Sequence, residues 1–423
     1  MTIFISIAAY RDPELVPTIE HALARARWPG DLRFAVCWQH GEGEAPPPAL
    51  DGGRMRVIDV PWRESKGACW ARSELMKLHD REDWFLQLDS HHRFAQDWDA
   101  VLLDQAERSG SSRPVLTAYL PPYDPAGQLS HDPAPTRMRF DRFTPQGIPT
   151  FQFRDIAPAE LTGAPVRARF VSGHMLFAPG SFVSDVPYDP ELYFIGEEIS
   201  LAVRTFTHGY DLFHPGAHVA WHEYTRNGRT KHWDDHVPGG AVERPWHERD
   251  AVSLAKVQHF LMARPIGPLG CGDQRTVAEY EAYSGLDFAM RTATPAAREG
   301  NTPAAIRAGV PGGAIDRHWT VRLALDQQVV PAAARDDPQF WYVGFHDAEG
   351  VEIARNDATR AEMRAVLGTG EGPIILERRF TSSRAPARWT VWPTDCQGRW
   401  LDKLDGAIDP GAGAPDDVIM VGA

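Results

Sequence analysis

The sequence predicts an α/β protein with a mostly parallel mixed sheet flanked by helices, followed by a smaller all-β C-terminal domain. Over the first 120 residues, short apolar runs rich in β-branched residues alternate with helical patterns. This alternation is typical of a mostly parallel sheet covered on both faces. From Trp319 to Leu325 apolar residues alternate singly with other residues, and further short runs follow between turn residues. Such a series is typical of a small β-sandwich.

The predicted strands of the first part are short apolar runs that end at helical patterns or turn-forming residues. These runs are Ile3–Ala9, Leu32–Trp38, Met55–Val60, Trp84–Leu88 and Val115–Tyr119. In an open sheet of this kind, ligands bind beyond the carboxyl ends of the strands. The residues that follow Leu88 are therefore expected to face a ligand.

The helices are predicted from capping residues and apolar spacing. We expect Asp12 to cap the first helix, with Pro13 at the first helical position, because these residue types favour those positions. A second helix is predicted over Gly67–Leu78, and a third from about Glu197 to His208.

Less regular segments follow the first five strands. Residues 121–165 are rich in Pro, Asp, Thr and Gly and have little periodicity, so we expect a long irregular insertion, of the kind that often covers a site. A strand is predicted over Ala168–Ala178 with Ser172 and Gly173 at its centre, and a short helix over Val277–Tyr283.

Composition divides the chain into two predicted domains. Residues 1–290 form the α/β domain, and residues 314–423 form a β-sandwich-like accessory domain. Between them, residues 291–313 are rich in Gly, Pro and Ala and are predicted to be a linker.

The overall composition excludes several classes of protein. The chain has 423 residues and a formal net charge of −13, with 43% hydrophobic and 24% charged residues, which fits a folded globular protein. Its apolar runs are far shorter than the roughly 20 residues of a membrane-spanning helix, and no basic residue precedes the first apolar run, unlike in a signal peptide. The acidic charge disfavours general nucleic-acid binding. We therefore expect neither a nucleic acid nor a membrane as a partner, although a local basic groove could hold a nucleotide.

The cysteines and the missing motifs narrow the function further. The four cysteines include no C-x-x-C pair, so they make neither a disulfide framework nor a zinc ribbon, and a cytoplasmic location is expected. No G-x-x-x-x-G-K-[ST], G-x-G-x-x-G or H-E-x-x-H pattern occurs, which leaves P-loop, Rossmann and common zinc-protease sites without support.

Asp89 and His91 form the strongest local signal. They follow an apolar strand at a spacing of two residues, in the run LQLDSHH that begins at Leu86. Residues two apart on an extended chain point to the same side, so a carboxylate and an imidazole can share one divalent ion such as Mn²⁺. The alternative is that Asp89 caps a turn and His91 lies on the surface.

Six histidines between residues 208 and 236 include a candidate third ligand. His222 ends a short predicted strand and is the favoured ligand, whereas His218 on the same face could substitute for it or support it. The others are expected to be surface or loop residues. The six are His208, His214, His218, His222, His232 and His236.

Charged residues at two predicted helix starts complete the candidate site. Glu197 and Glu198 begin a helix, where acids are favourable without any function, and either could orient an acceptor hydroxyl or stabilise positive charge on a sugar. Arg72, shortly after Ser65 and Lys66, places positive charge near another helix start, which suits phosphate groups. The alternative for Arg72 is an ordinary surface position.

In this order, the motifs resemble the GT-A fold GlcNAc-transferase family, whose known eukaryotic members modify hydroxyproline on a cytosolic protein. The chain looks like a bacterial member of the D-x-H type. The resemblance covers roughly residues 1–290. It rests on Ile5–Leu15, Gly67–Arg72, Leu86–Phe94, Trp98–Asp99, Ser172–Gly173, Gly196–Glu198, Trp221–Tyr224 and Leu269–Thr276.

The resemblance implies a metal-dependent retaining transferase that moves a GlcNAc-type sugar from a UDP-sugar to a hydroxyl acceptor. Asp89 and His91 would be the metal motif, with His222 as the third ligand to Mn²⁺ or Mg²⁺. Glu197 or Glu198 would be the acidic residue of the site. The donor stays open among GlcNAc, GalNAc, Glc and Gal, and the acceptor between a protein and a glycan.

Further residues of the resembling segments are expected to bind the donor. Arg11 and Arg72 are candidates for the diphosphate, because guanidinium groups bind phosphate oxygens in pairs. The expected donor contacts are Ala8, Tyr10, Arg11, Arg72, Asp89, Ser90, Ser172 and Gly173.

Two alternatives come from features outside the resemblance. The β domain could bind an acceptor or mediate a homo-oligomer, and together with the 14 tryptophans it also allows a non-catalytic carbohydrate-binding or scaffold protein. The histidine cluster allows a metallohydrolase.

Overall fold

The computed structural model describes residues 1–127, 129–130, 133–225, 228–304, 317–337, 340–367, 372–382, 384–408 and 418–422. It divides into two compact units, Met1–Ile306 and Arg307–Ala423. Among the described residues, no helix combines the length and the apolar composition that crossing a bilayer requires.

The described part of the first unit alternates strands and helices. Its strands are β1 (Ile3–Tyr10), β2 (Leu32–His40), β3 (Met55–Pro61), β4 (Trp84–Asp89), β5 (His92–Phe94), β6 (Pro114–Thr117), β7 (Thr136–Phe143), β8 (Pro149–Asp155), β9 (Val166–Arg167), β10 (Met175–Pro179), β11 (Asp211–His214), β12 (Ala220–His222), β13 (Leu286–Asp287) and β14 (Thr292–Ala293). Its helices are α1 (Leu15–Arg25), α2 (Ala68–Met76), α3 (Trp98–Arg108), α4 (Phe182–Asp185), α5 (Glu197–Thr207), α6 (His232–Asp235), α7 (Trp246–Ala263), α8 (Val277–Ser284) and α9 (Pro295–Glu299).

Eight strands form one mixed sheet in the order β3-β2-β1-β4-β10-β6-β11-β9. The strands β3, β2, β1 and β4 run parallel to one another, and β11 is parallel to β6. The strand β10 is antiparallel to both of its neighbours. This arrangement confirms the predicted mixed sheet with flanking helices.

Alternate side chains of β1 pack into two hydrophobic cores, one on each face of the sheet. Ile3, Ile5 and Ile7 are buried with residues of α1 and α3, whereas Phe4 is buried with residues of α2 and α5. Both faces of β1 are therefore covered, which explains why its sequence is a continuous apolar run.

Asp12 does not cap the first helix as predicted. The helix α1 begins at Leu15, and Glu14 occupies the position before it. The carboxylate of Asp12 is almost fully buried, and its two oxygens have different partners. Its Oδ1 atom accepts from the N–H of Glu14 at 2.9 Å, just before α1, whereas Oδ2 bonds to side chains of Ser90, His91 and Arg229.

Trp98 and Asp99, at the start of α3, hold α1 and α3 together. The indole Nε1 of Trp98 donates to the carbonyl oxygen of Ala22 at 2.9 Å. The two carboxylate oxygens of Asp99 accept from the backbone N–H groups of Arg27 and Trp28 at 2.8 and 2.9 Å. Asp99 is only 1% exposed, so it satisfies two backbone donors just beyond the end of α1.

The predicted irregular insertion over residues 121–165 contains a β-hairpin. The strands β7 and β8 pair antiparallel, with Phe140 opposite Phe151, and Phe151 stacks on Phe170 with ring centroids 4.3 Å apart. The prediction was wrong here because the alternation of apolar with polar residues, Met138 and Phe140 in β7 and Phe151 and Phe153 in β8, is short and lies within a segment rich in Pro, Asp, Thr and Gly. The predicted strand over 168–178 is likewise reduced to β10.

The predicted linker over residues 291–313 belongs in part to the first unit. In its described part, residues 291–304, β14 pairs with β13 and α9 follows. Thr294 caps α9 by accepting from the N–H of Ala297, which is fully buried. The composition suggested a linker, but a capping Thr, a Pro and buried alanines are also the composition of a short packed helix.

The second unit contains two β-sheets in its described part, which confirms the predicted small β domain, and two short helices accompany them. Its elements are β15 (Arg317–Leu325), α10 (Ala332–Asp336), β16 (Phe340–His346), β17 (Glu352–Arg355), β18 (Ala358–Thr359), α11 (Arg360–Leu367), β19 (Ile374–Ser382), β20 (Arg388–Pro393), β21 (Leu404–Ala407) and β22 (Val418–Gly422). One sheet has the order β19-β15-β22, and the other has β17-β16-β20-β21 with β18 also paired to β16. Phe345 of the second sheet stacks on Phe380 of the first at 4.8 Å.

We predict that replacing Asp99 by alanine lowers the free energy of unfolding of the first unit by about 2–4 kcal/mol, because two backbone N–H groups lose a buried, charged acceptor. Urea unfolding followed by circular dichroism and tryptophan fluorescence measures this. The control is Asp104→Ala on the same helix, which removes only an exposed ion pair with Arg108 and should change the stability by less than about 0.5 kcal/mol. Equal effects of the two substitutions would contradict the role of Asp99.

Candidate active site and metal centre

The candidate site lies where the parallel strands β1 and β4 end side by side. Ala8 of β1 is in register with Asp89, the last residue of β4. The short strand β5 follows at once and pairs with β12, which places His222 opposite His92. A histidine more than 130 positions away in the chain is thereby brought to the end of β4.

Asp89, His91 and His222 each offer one ligand atom, and these atoms all lie within 4.8 Å of one another. The Oδ2 atom of Asp89 is 3.4 Å from Nε2 of His222 and 3.7 Å from Nε2 of His91. Among the described residues, they form the one group of three with this geometry. One carboxylate and two imidazoles suit Mn²⁺ and related divalent ions, so these residues fit a metal ion chemically.

The electrostatics leave the Asp89 carboxylate charged and the His222 ring neutral at neutral pH. Burial alone would raise the pKa of Asp89, but the His222 hydrogen bond and the Arg72 charge hold it well below its usual range. Burial lowers the pKa of His222 well below its usual range, although Asp89 opposes this. A charged carboxylate and a neutral imidazole are the protonation states that a metal ion requires.

Asp12 orients the ring of His91. The Nδ1 atom of His91 lies 2.8 Å from Oδ2 of Asp12, which also accepts from Ser90 at 2.7 Å and from Arg229 at 2.6 Å. Despite burial, the bond to His91 and the charges of His91 and Arg229 lower the pKa of Asp12 to about 2. A carboxylate that accepts from Nδ1–H fixes the ring so that Nε2 faces Asp89, as in many carboxylate–histidine metal sites. This Nε2 atom accepts from Nη2 of Arg229 at 3.1 Å, and a metal ion bound to it would replace that hydrogen bond.

Arg72 is buried between two carboxylates, not on the surface. It is 4% exposed, and its Nη2 atom donates to Oδ1 of Asp89 at 2.5 Å. Its Nη1 atom forms a hydrogen-bonded ion pair with Glu197, and Glu197 also accepts from the hydroxyl of Tyr188 at 2.6 Å. Glu197 is therefore committed to holding Arg72 against the metal-binding carboxylate.

Glu198 has different partners from its neighbour. One of its oxygens accepts from the N–H of Gly173 at 2.8 Å, and the hydroxyl of Tyr119 donates to the other. Burial raises the pKa of Glu198 to about 7. The structure thus separates the two acids, which the sequence left equivalent: one is ion-paired with an arginine, and the other is poised to exchange a proton near neutral pH.

Gly173 permits the close approach of these groups. A Cβ atom at this position would lie 3.1 Å from Oε1 of Glu197 and 3.4 Å from Nη1 of Arg72. Its carbonyl oxygen accepts from Nε2 of Gln87 at 2.6 Å, and the N–H of the preceding Ser172 donates to Thr117. Gly173 therefore reaches the site through its backbone, and Ser172 anchors the same loop to β6.

Tyr10 and Arg11, the other expected donor contacts on this edge, are bonded to a later segment of the chain. The Tyr10 hydroxyl donates to Oδ2 of Asp235 at 2.8 Å, and Nη1 of Arg11 donates to the same oxygen at 2.8 Å. Arg11 also bonds to Glu44 at 2.9 Å. The structure thus places both residues at the edge of the site, and their role toward a donor stays a prediction.

The other histidines between residues 208 and 236 do not join the metal group. Inside the fold, Nδ1 of His214 donates to the carbonyl oxygen of Thr117, and its Nε2 accepts from the N–H of Met138. His232 stacks on His236 with ring centroids 3.7 Å apart. His218 packs against Trp221. The structure therefore favours His222 over His218 as the third ligand.

Several buried residues of the site had no functional expectation from the sequence: Asp12, Gln87, Tyr119, His174 and Arg229. His174 stacks on His222 with ring centroids 4.1 Å apart, and its Nε2 accepts from the N–H of Leu120 at 3.1 Å, which leaves the proton on Nδ1. A signal was available for Gln87 and His174, since they lie beside the motifs around Asp89 and Gly173.

A family model of known proteins matches the sequence of the first unit. The family model described as Glycosyltransferase (GlcNAc) matches residues 2–53 and 47–290. No curated protein matches the chain.

Solved structures resemble the chain only distantly. A crystal structure of GalNAc-T7 with UDP, GalNAc and Mn²⁺ has 14% identity and a TM-score of 0.42, over 66% of this chain and 56% of that chain. S. aureus TarS 1-349 in complex with UDP has 10% identity and a TM-score of 0.33, over 53% of this chain and 61% of that chain. TarS 1-349 has 8% identity and a TM-score of 0.33, over 62% and 73% of the two chains.

We predict that Glu198 makes stability depend on pH. Because burial raises its pKa to about 7, protonation of Glu198 stabilises the folded state fully below the unfolded pKa near 4.5, and this contribution is lost as the pH rises through 7. The unfolding free energy of the unmodified protein should therefore decrease between pH 5 and 8. In Glu198→Gln this decrease should be smaller, by about 3 kcal/mol at most. Urea unfolding at a series of pH values tests this, with exposed Glu20→Gln as the control. An unchanged pH profile in Glu198→Gln would refute it.

Proposed function

This chain belongs to the GlcNAc glycosyltransferase family, and from that premise we propose that it transfers a GlcNAc-type sugar from a UDP-sugar to a hydroxyl acceptor, with a divalent cation at Asp89, His91 and His222. The observation that carries the proposal is this convergent group of one carboxylate and two imidazoles at the carboxyl ends of β1 and β4. Mn²⁺ or Mg²⁺ is the proposed ion. Bound there, it would supply Lewis-acid stabilisation to a departing nucleoside diphosphate.

Arg72 is the residue that we assign to the leaving diphosphate. Its guanidinium group is fixed by Glu197 and Asp89, so its positive charge is oriented before any substrate arrives. A preorganised charge at the place where negative charge develops stabilises a transition state more than a mobile one does. Glu197 acts through Arg72 as a positioning residue.

Glu198 is the residue that we assign to the acceptor. The proposed reaction proceeds with retention, so the acceptor hydroxyl approaches the donor face that carries the leaving group. A carboxyl group with a pKa of about 7 can accept a hydrogen bond from that hydroxyl and take its proton near neutral pH. Tyr119 and Gly173 fix the orientation of this carboxyl group.

The donor nucleotide is assigned to the end of β1 and the loop before β10. Ala8, Tyr10 and Arg11 lie at the first of these, Ser172 and Gly173 at the second. Contact of a nucleotide with the Tyr10 hydroxyl or the Arg11 guanidinium group requires exchange of their bonds to Asp235. Ser90, whose hydroxyl is bonded to Asp12, contributes to the same edge.

The acceptor is a protein or glycan hydroxyl in this proposal, as in the hydroxyproline-modifying transferases that the motifs resemble. A cytoplasmic location and a bacterial source are part of the same proposal. The donor sugar is GlcNAc or one of GalNAc, Glc and Gal. A screen of these four UDP-sugars by UDP release, with Mn²⁺ present, identifies the donor, and release from none of them would refute the proposed function.

We predict that Asp89→Asn and His91→Ala abolish Mn²⁺ binding and lower the rate of UDP release by at least about 100-fold, because each removes a metal ligand. Isothermal titration calorimetry with Mn²⁺ alone measures the first effect without relying on activity. His218→Ala is the matched control and should bind Mn²⁺ as the unmodified protein does. Normal Mn²⁺ binding by Asp89→Asn would place the metal elsewhere.

We predict that the two adjacent acids respond differently to substitution by glutamine. Glu197→Gln leaves the buried Arg72 charge with fewer partners and should destabilise the fold by about 3–5 kcal/mol. Glu198→Gln should keep the fold at pH 7 and lower kcat by about 10²–10⁴-fold with a small change in KM for the donor. Unfolding measurements and steady-state kinetics on both variants test this. A Glu198→Gln variant with normal kcat would reject its assignment.

A further inference from the structure

One face of the β16–β20 sheet in the second unit carries a patch of aromatic side chains, which we call the aromatic platform. It consists of Phe340, Tyr342, Trp392 and Trp400. Trp392 is 37% exposed and Trp400 is 48% exposed, and their ring centroids are 4.8 Å apart. Phe340 meets Trp400 at 5.9 Å. Two neighbouring exposed tryptophans are unusual on a folded surface, because exposed aromatic area has an unfavourable contact with water.

The platform is separate from the hydrophobic core of its unit. Along β16, Trp341, Val343 and Phe345 are fully buried, so the alternation of the strand directs Phe340 and Tyr342 to the opposite face. On β20, Trp392 is in register with Tyr342 and shares that outer face. The core is thus complete without these four rings.

Hydrogen bonds and close packing fix the platform in place. The indole N–H of Trp392 donates to the carbonyl oxygen of Leu401 at 2.7 Å. The Tyr342 hydroxyl donates to Glu352, and its ring lies across Gly344, where a Cβ atom would come 2.2 Å from the hydroxyl oxygen. The guanidinium carbon of Arg355 lies 4.8 Å from the centre of the Tyr342 ring. A surface held in this way loses little entropy on binding.

The charged groups around the platform neutralise one another. Arg355 pairs with Asp357 at 2.9 Å, and Arg388 pairs with Asp405 at 3.1 Å on the same face. The platform therefore offers rings within a hydrogen-bonding rim of two ion pairs and the Glu352 carboxylate, which accepts from the Tyr342 hydroxyl. This complements an uncharged ligand that has many hydroxyl groups, and does not complement a polyanion.

The exposed area of the two tryptophans is too small for a stable protein interface. Aromatic side chains bury roughly 150–250 Å² each, so the exposed fractions of Trp392 and Trp400 together offer only about 130–210 Å². A stable protein–protein interface needs about 800 Å² from each partner. The area therefore favours a small ligand.

We propose that the aromatic platform is a binding site for a neutral oligosaccharide of hexopyranose units. Each pyranose ring has an apolar C–H face that packs on an indole or phenol ring, and its hydroxyl groups reach the rim at Glu352, Arg355 and Asp405. Trp392 and Trp400 are the main contacts, because they are the most exposed residues of the platform. The site is independent of the transferase chemistry proposed for the first unit.

The test uses the full-length protein and four neutral hexasaccharides: cellohexaose, chitohexaose, laminarihexaose and maltohexaose. Isothermal titration calorimetry should detect binding of at least one of them with a Kd between about 1 μM and 1 mM. Trp392→Ala and Trp400→Ala should each weaken that binding at least tenfold, whereas Trp392→Phe should retain most of it. Trp28→Ala, an equally exposed tryptophan of the first unit, should leave the affinity unchanged.

Other outcomes would overturn the proposal. The first is the absence of binding by all four hexasaccharides. The second is an affinity equal to that of the unmodified protein in the Trp392→Ala and Trp400→Ala variants, when circular dichroism confirms that these are folded. The third is loss of binding in a His91→Ala variant that circular dichroism shows to be folded, which would place the sugar at the candidate active site. Self-association of the protein that Trp392→Ala abolishes, seen by analytical ultracentrifugation, would instead assign the platform to a second copy of the chain.

Discussion

The guanidinium group of Arg72 lies inside the first unit and bonds two carboxylates, Asp89 and Glu197. Burying one unpaired positive charge would cost several kcal/mol, so the fold depends on both acids being present and charged. The three residues come from α2, β4 and α5, and their bonds therefore fix these elements relative to one another. The metal-binding carboxylate is positioned by the same contact that stabilises the interior.

The need to pair the buried Arg72 charge also explains why Glu197 and Glu198 have different partners. Both lie in the first turn of α5 and both are largely buried, but the helix directs them to different neighbours. Arg72 compensates the charge of Glu197, whereas Glu198 meets only neutral donors, the Tyr119 hydroxyl and the Gly173 N–H. Without a positive partner, burial raises the pKa of Glu198 to about 7. One helix start thus provides a permanent counterion and a group that titrates near neutral pH.

The parts of the structure that the sequence predicted are those set by local pattern. Apolar runs located the parallel strands, and the two-residue spacing of Asp89 and His91 at a strand end identified two of the three grouped side chains. For Asp12 the sequence suggested only a local role at the start of α1, because its other partners, His91 and Arg229, are distant in the chain. The β7–β8 hairpin was missed because the alternation of apolar with polar residues is short in each strand, and the contact between Phe151 and Phe170 is not visible in either strand alone.

The edge of the site next to β1 is closed by the chain itself. Tyr10 and Arg11 both donate to Asp235, and Asp12 accepts from Arg229, so three consecutive residues are satisfied by the segment 229–236. The pairing is complementary in charge: an acid of the segment meets a base of the edge, and a base meets an acid. A ligand that accepts hydrogen bonds from Tyr10 and Arg11 must displace Asp235. Its net binding free energy is the difference between its own hydrogen bonds and those that Asp235 loses. The affinity of this edge for an anionic ligand is therefore set by the stability of the segment as much as by the number of donors.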